Sequence, residues 1–258
     1  MRLSFYKYQG TGNDFILVDN REDVFPKSNT ELVAKLCSRR MGIGADGLIL
    51  LENDPTSDFK MIYFNADGRE GSMCGNGGRC IVAFAEFLGI IAKETTFLAT
   101  DGEHFARINN DIVELHMADV EEIREKPNAI TLNTGSPHHV QIVPQLEQYD
   151  VVKEGAKLRY GLYGESGSNI NFVEQLDDAT FYVRTYERGV ENETLSCGTG
   201  VTAVALAMHH SGITANKEIK VKTPGGDLTI SFQKSDGKYC DVYLTGPAQQ
   251  VYKGEITC

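Results

Sequence analysis

Phe15-Ile16-Leu17-Val18 and Gly47-Leu48-Ile49-Leu50-Leu51 are short apolar runs bounded by turn residues, which predicts strands. Phe59-Lys60-Met61-Ile62-Tyr63-Phe64 and Phe181-Tyr182-Val183-Arg184-Thr185-Tyr186 predict two more, each leading toward a Cys-Gly-x-Gly turn. Ser28 with Glu31 resembles a capping box and predicts a helix carrying Leu32, Val33 and Leu36. After each Cys-Gly-x-Gly turn the period changes to that of a helix. Ile81, Phe84, Ala85 and Leu88 keep i, i+3, i+4, i+7 spacing, as do Val201, Val204, Ala205 and Met208. Almost nothing polar interrupts Val201 to Met208, and a helix apolar all round is wrapped by other structure.

A shift of 123 residues, which carries Cys74 onto Cys197, exposes an internal repeat. It lays Gly44 on Gly167, Asp54 on Asp177, Tyr63 on Tyr186 and Glu70 on Glu193. Cys74-Gly75-Asn76-Gly77 falls on Cys197-Gly198-Thr199-Gly200, and Gly89-Ile90 on Gly212-Ile213. One period this long implies two related halves, not a solenoid. The expected fold is α+β, with two pseudo-symmetric halves, each a curved or barrel-like sheet around a central buried helix. The halves are expected at residues 1–116 and 117–246, and the tail 247–258 reads as a strand returning to the first.

Composition narrows the function. Lys and Arg number 25 against 36 Asp and Glu, and a net charge of −11 repels phosphate backbones, so no nucleic-acid partner is expected. The most apolar stretch, Ile81 to Ala92, contains Glu86 and is too short for a bilayer. The first residues have no apolar export segment, so the expected location is the cytoplasm. No Cys-x-x-Cys pair occurs, which takes away the main support for zinc-ribbon and thioredoxin-type readings. The glycine-rich turns lack the Lys-Ser/Thr of a phosphate loop. His138-His139 and His209-His210 lack metal-ligand spacing, so neither a metal nor an organic cofactor is expected.

Cys74 and Cys197 are therefore the candidate chemistry. The first N–H groups of a helix lack internal partners and sit at the positive end of its dipole. They can hold a carboxylate and favour a thiolate nearby. If the halves face each other, one sulfur can remove an α-proton while the other returns a proton to the opposite face. Cys37 and Cys80 read as core residues, and Cys240 and Cys258 have no context that suggests chemistry.

Four ordered motifs resemble the diaminopimelate epimerase family: Gly10-Thr11-Gly12-Asn13-Asp14-Phe15, Phe64-Asn65-Ala66-Asp67-Gly68, Met73-Cys74-Gly75-Asn76-Gly77-Gly78-Arg79-Cys80, and Tyr186-Glu187-Arg188-Gly189 with Cys197-Gly198-Thr199-Gly200. The resemblance implies a cofactor-independent isomerase, usually homodimeric, that interconverts LL- and meso-diaminopimelate for lysine and peptidoglycan precursors. It implies Cys74 and Cys197 as the acid/base pair. Gly75, Asn76, Gly198 and Thr199 would bind the reacting carboxylate, and Asn13, Asn65, Asn169, Glu187 and Arg188 the other polar groups of this small amino-acid substrate. His138 and Glu187 would bias which thiol holds the proton. One departure is Ser136-Pro137-His138, where the family commonly has Asn-Pro-His.

Taken singly, Asn13-Asp14 and Asn65-Ala66-Asp67-Gly68 also read as turns, and Glu187-Arg188 as an exposed ion pair. The competing functions are a related racemase acting on another amino acid, a non-catalytic amino-acid-binding protein, and a thiol-redox protein. Loss of function on replacing either thiol by alanine separates the enzyme from the binding protein.

Overall fold

The computed structural model describes residues 2–71 and 73–258. The chain divides into two compact units, Met1–Leu115 with Gly246–Cys258, and His116–Thr245.

The first unit contains β1 (Arg2–Gly10), β2 (Asn13–Asp19), α1 (Thr30–Cys37), β3 (Gly47–Glu52), β4 (Phe59–Asn65) and the short β5 (Glu70–Gly71). It continues through α2 (Gly75–Phe87), β6 (Glu94–Ala99), β7 (Gly102–Asn109) and β8 (Ile112–His116). Thr11 and Gly12, both at positive φ, make the two-residue turn of the β1–β2 hairpin, so Asn13 opens a strand and not a turn. Helices carry the chain between the parallel pairs: α1 between β2 and β3, α2 between β4 and β6.

β3 is apolar from Gly47 to Leu51 because both its faces are covered. Leu48 and Leu50 join Ile16, Val18, Val33 and Leu36 on the α1 side. Ile49 points the other way and reaches Gly77 of α2. α2 packs against β1, β2, β3 and β7 and against the final strand. Packing against strands from both ends of the sheet means that the sheet curls around this helix.

The second unit repeats the plan with β9 (Ile123–Lys126), β10 (Ala129–Asn133), β11 (Pro137–Ile142), α3 (Val151–Tyr163), β12 (Asn169–Gln175), β13 (Thr180–Glu187) and β14 (Asn192–Thr194). It ends with α4 (Gly198–His210), β15 (Glu218–Thr223), β16 (Gly226–Ser235) and β17 (Lys238–Pro247). β11 and β12 are parallel across α3, and β13 and β15 across α4. α4 packs against β10, β11, β12, β13, β15 and β16, and Val201 to Met208 are all buried. Within the first unit, β18 (Gln249–Thr257) runs antiparallel to β1. The α+β class and the sheet-wrapped helices match the sequence expectation.

Two expectations need correction. Asn29, not Ser28, caps α1: its side-chain oxygen accepts from Leu32 N–H at 3.0 Å, which leaves no capping box. Tyr63 and Tyr186 are not structural equivalents either. Tyr63 pairs with Ile49, whereas Tyr186 pairs with Ile170 and joins the cluster on the α3 side. Phe64, on the α1 side, holds the matching place, because a one-residue slip turns a strand's side chains to the other face. The patterns also missed β1 and α3, whose sequences mix polar residues into every turn. No helix among the described residues is long and apolar enough to cross a membrane.

Candidate active site

Cys74 is the N-cap residue of α2, in extended conformation, and Gly77 N–H donates to its Sγ at 3.2 Å. A donor in that place stabilises negative charge on sulfur. The next residue, Gly75, and Asn76 are buried at the helix start. Asn76 Nδ2 donates to Asn13 Oδ1, which joins two of the expected substrate-binding residues. Asn13 Nδ2 in turn donates to Asp46 Oδ2 at 3.0 Å.

Asp46 belongs to an ionic group that fixes this corner. Arg39 grips both carboxylate oxygens of Asp14 at 2.7 and 2.9 Å and reaches Asp46 at 2.7 Å. Lys7 Nζ lies 2.7 Å from Asp14. Burial pushes the Asp14 carboxyl upward, but hydrogen bonds from Arg39 and Lys7 outweigh it and hold it at about 2. Asn65 is exposed at the end of β4. Its backbone N–H donates to Arg69 O at 2.9 Å, and Gly68 N–H donates to Asn65 O at 2.9 Å, so this motif forms the β4–β5 hairpin turn.

Arg79, part of the third motif but given no role by sequence reasoning, lies beneath this site. Its side chain is fully buried, and no carboxylate pairs with it among the described residues. It donates to Gly75 O (3.2 Å), Asn76 Oδ1 (3.0 Å), Thr11 Oγ1 (3.1 Å) and Pro247 O (3.4 Å). These bonds hold the Asn76 oxygen inward, so its NH₂ faces Asn13. Burial pulls the guanidinium down to about 10, against the attraction of the Cys80 and Cys74 sulfurs. The signal in the sequence was a charged residue inside an otherwise buried helix.

Cys197 is the N-cap residue of α4 and is buried, with Sγ 3.6 Å from Thr199 Oγ1. The Cys197 side chain does not make the capping bond that Cys74 makes with Gly77. Thr199 O accepts from Thr134 Oγ1 at 2.8 Å, which ties the turn to the end of β10. Gly198 O accepts from Thr202 Oγ1 at 2.9 Å.

His138 and Asn169 lie side by side in register on β11 and β12, and both are buried. Asn169 Oδ1 accepts from the backbone N–H of Arg188 at 2.8 Å, and the Arg188 side chain donates to Ser166 O at 2.9 Å. Glu187 accepts from Thr194 Oγ1 at 2.9 Å. Burial foremost, with the charge of Arg188 adding to it, pulls the His138 imidazole down to about 3, so it is neutral near pH 7. Among the other histidines, His139 bonds to Tyr163 and Gln141, and His209 to Tyr239, as structural residues do.

In the first unit, then, Cys74, Gly75, Asn76 and Asn13 share one helix start. In the second, Cys197, Gly198 and Thr199 share another, His138 and Asn169 are neighbours on β11 and β12, and Arg188 bonds to Asn169 from the turn after β13. Each assembly presents a sulfur and backbone donors, the equipment for carrying a proton next to a carboxylate.

Known structures share this architecture. A PhzF-family phenazine biosynthesis protein from Bacillus anthracis superposes with a TM-score of 0.80 at 14% identity, with all of both chains covered. A hydroxyproline epimerase from Agrobacterium vitis gives 0.70 at 14% identity, over 99% of this chain and 92% of that one. The fold is shared with these proteins, and in this chain a cysteine opens the buried helix of each unit. The family model for diaminopimelate epimerase matches residues 5–120 and 130–251. The diaminopimelate epimerase of Flavobacterium psychrophilum is 57% identical over 98% of this chain and all of its own length. That of Chlorobaculum tepidum is 43% identical, over 96% and 99%. The chain belongs to the diaminopimelate epimerase family and is an isomerase.

Proposed function

We propose that this protein epimerises LL-2,6-diaminopimelate to the meso isomer with its two thiols and no cofactor. The carrying observation is the repetition of one device: a cysteine at the N-cap of a buried, glycine-opened helix in each unit. In this reading the thiolate of one cysteine takes the α-proton, so a C–H bond breaks and an S–H bond forms. The thiol of the other gives its proton to the opposite face, and its sulfur is left as the thiolate. Charge is conserved, and the reverse reaction exchanges the roles. The N–H groups of Gly75, Asn76, Gly198 and Thr199 stabilise the enolate-like carboxylate. Asn13, Asn65, Asn169, Glu187 and Arg188 bind the remaining polar groups, Arg188 by charge and the asparagines without adding any. His138 and Glu187 influence the proton's distribution. Ser136 is shorter than the amide it replaces, so a water can bridge its contact. The enzyme works in the cytoplasm as a homodimer, supplying lysine and peptidoglycan precursors.

The test is incubation of the reduced protein with LL-diaminopimelate in D₂O, with NMR of the α-position and chiral analysis of the product. Deuterium enters and the meso isomer forms, and both stop in Cys74→Ala and in Cys197→Ala. Undiminished turnover in either variant ends the two-thiol reading. Turnover of proline or hydroxyproline in place of diaminopimelate assigns the chain a different substrate.

A further inference from the structure

Asn171, fully buried on β12, has no place in the proposed mechanism, yet its amide lies within hydrogen-bond distance of His138. Its Nδ2 lies 3.0 Å from His139 O and 3.1 Å from His138 Nδ1, and its Oδ1 accepts from Thr185 Oγ1 at 3.0 Å. A backbone carbonyl can only accept, so the amide end facing His139 O is the NH₂ group. The reversed amide would set two carbonyl oxygens 3.0 Å apart. The same NH₂ faces His138 Nδ1, so that nitrogen must accept, and the ring proton sits on Nε2. Nε2 is buried and has no hydrogen-bond partner among the described residues.

We propose that Asn171 is a positioning residue that holds His138 as the neutral Nε2–H tautomer, so that this N–H serves as a hydrogen-bond donor to an anionic group in the Cys197 half of the site. An unpartnered buried donor costs about 1–3 kcal/mol, so its retention calls for a ligand that satisfies it. The site is close by. A Cβ on Gly200 would meet Asn171 Oδ1 at 2.5 Å and Cys197 Sγ at 3.3 Å, so the amide and the sulfur touch the same glycine. An oxyanion or a thiolate accepts from such a donor, and a bare ring nitrogen would repel it. That the donor serves the reaction rests on the two-thiol reading, whereas the tautomer does not.

The decisive measurement is long-range ¹H–¹⁵N NMR of the ¹⁵N-histidine-labelled, substrate-free protein, with His138 assigned by its loss in His138→Gln. The expected spectrum near neutral pH shows a bare Nδ1 and a protonated Nε2. A protonated Nδ1 or a charged ring overturns the proposal, whatever the substrate proves to be. In Asn171→Asp a carboxylate faces Nδ1, which then acquires a proton, and kcat falls about tenfold or more, with KM changed less. Asn171→Leu removes the amide without adding charge, and the Nε2–H preference is lost. Folded variants that keep the wild-type histidine signature refute the role of Asn171. If neither variant folds, the wild-type spectrum still decides the tautomer. Absence of epimerisation by the wild-type protein tells against the catalytic reading and leaves the spectrum to be judged alone.

Discussion

The two cysteine-capped helices start alike and rest on different floors. Under α2, the glycine two residues past the turn's first packs on apolar atoms, with Ile49 Cδ1 3.2 Å and Met61 Cε 3.4 Å from where a Cβ on Gly77 would lie. The corresponding glycine of α4, Gly200, rests on Asn171 Oδ1. The polar groups are exchanged one turn further on. Arg79 reaches back to Gly75 O in α2, and in α4 the shorter Thr202 reaches back to Gly198 O. One unit thus places a buried cation near its sulfur, and the other a neutral imidazole and an amide. The frame repeats while the electrostatics diverge, in keeping with the opposite starting protonation states proposed for the two thiols.

The sharpest break of that contrast is at the charge. Arg79→Met leaves the acceptors of Thr11, Gly75, Asn76 and Pro247 without their shared donor, and is expected to cost about 3 kcal/mol in urea denaturation. Thr202→Val removes one bond and costs about 1 kcal/mol. Equal losses would mean that the two helix starts are energetically interchangeable.

Next come the glycines. The Cβ of Gly200→Ala would sit 2.5 Å from Asn171 Oδ1, which three hydrogen bonds hold in place, so a loss of about 2 kcal/mol is expected. The Cβ of Gly77→Ala would meet Cys74 Sγ at 3.1 Å and the side-chain ends of Ile49 and Met61 at 3.2 and 3.4 Å, and a loss about half as large is expected. A larger loss at Gly77 would reverse this ranking of the two floors.

The last effect is read as a slope with pH, not as a loss at one pH. His138 is held neutral down to about 3, below the usual imidazole value of 6.5. Below about pH 6.5 the unfolded chain takes up a proton that the folded chain refuses, so stability falls as pH falls toward the folded value. This histidine contributes up to about 1.4 kcal/mol per pH unit in that window. His138→Gln should flatten the dependence of stability on pH between the two values by that amount. An unchanged slope would show that His138 is not buried as a neutral ring.

Legibility in the sequence followed periodicity. The strands at Phe15, Gly47, Phe59 and Phe181 and the helices after Cys74 and Cys197 were readable because burial imposes a period of two or 3.6 on apolar residues. The α1 cap was misplaced by one residue because Ser28 and Asn29 are both good caps, and only the path of the chain chooses between them. The faces of Tyr63 and Tyr186 were confused because equal spacing says nothing about register.

Among the candidate site residues, Cys74 and Cys197 stood out through repetition, Asn13, Asn65, Glu187 and Arg188 through their motifs, and Asn169 only through the family resemblance. Asn171 was hidden between Ile170 and Phe172, where it looks like an ordinary alternation in a strand. Arg79 stood in a motif without a role, because nothing local says which acceptors a long side chain will find.

By itself the chain determined the repeated αβ frame and the two cysteines at helix starts, since backbone preference, apolar spacing and glycine turns are local properties. Only the tertiary structure decided what surrounds each sulfur. Burial and hydrogen-bond direction depend on residues far apart in sequence, such as Arg79 with Thr11 and Pro247, or Asn171 with His138 and Thr185.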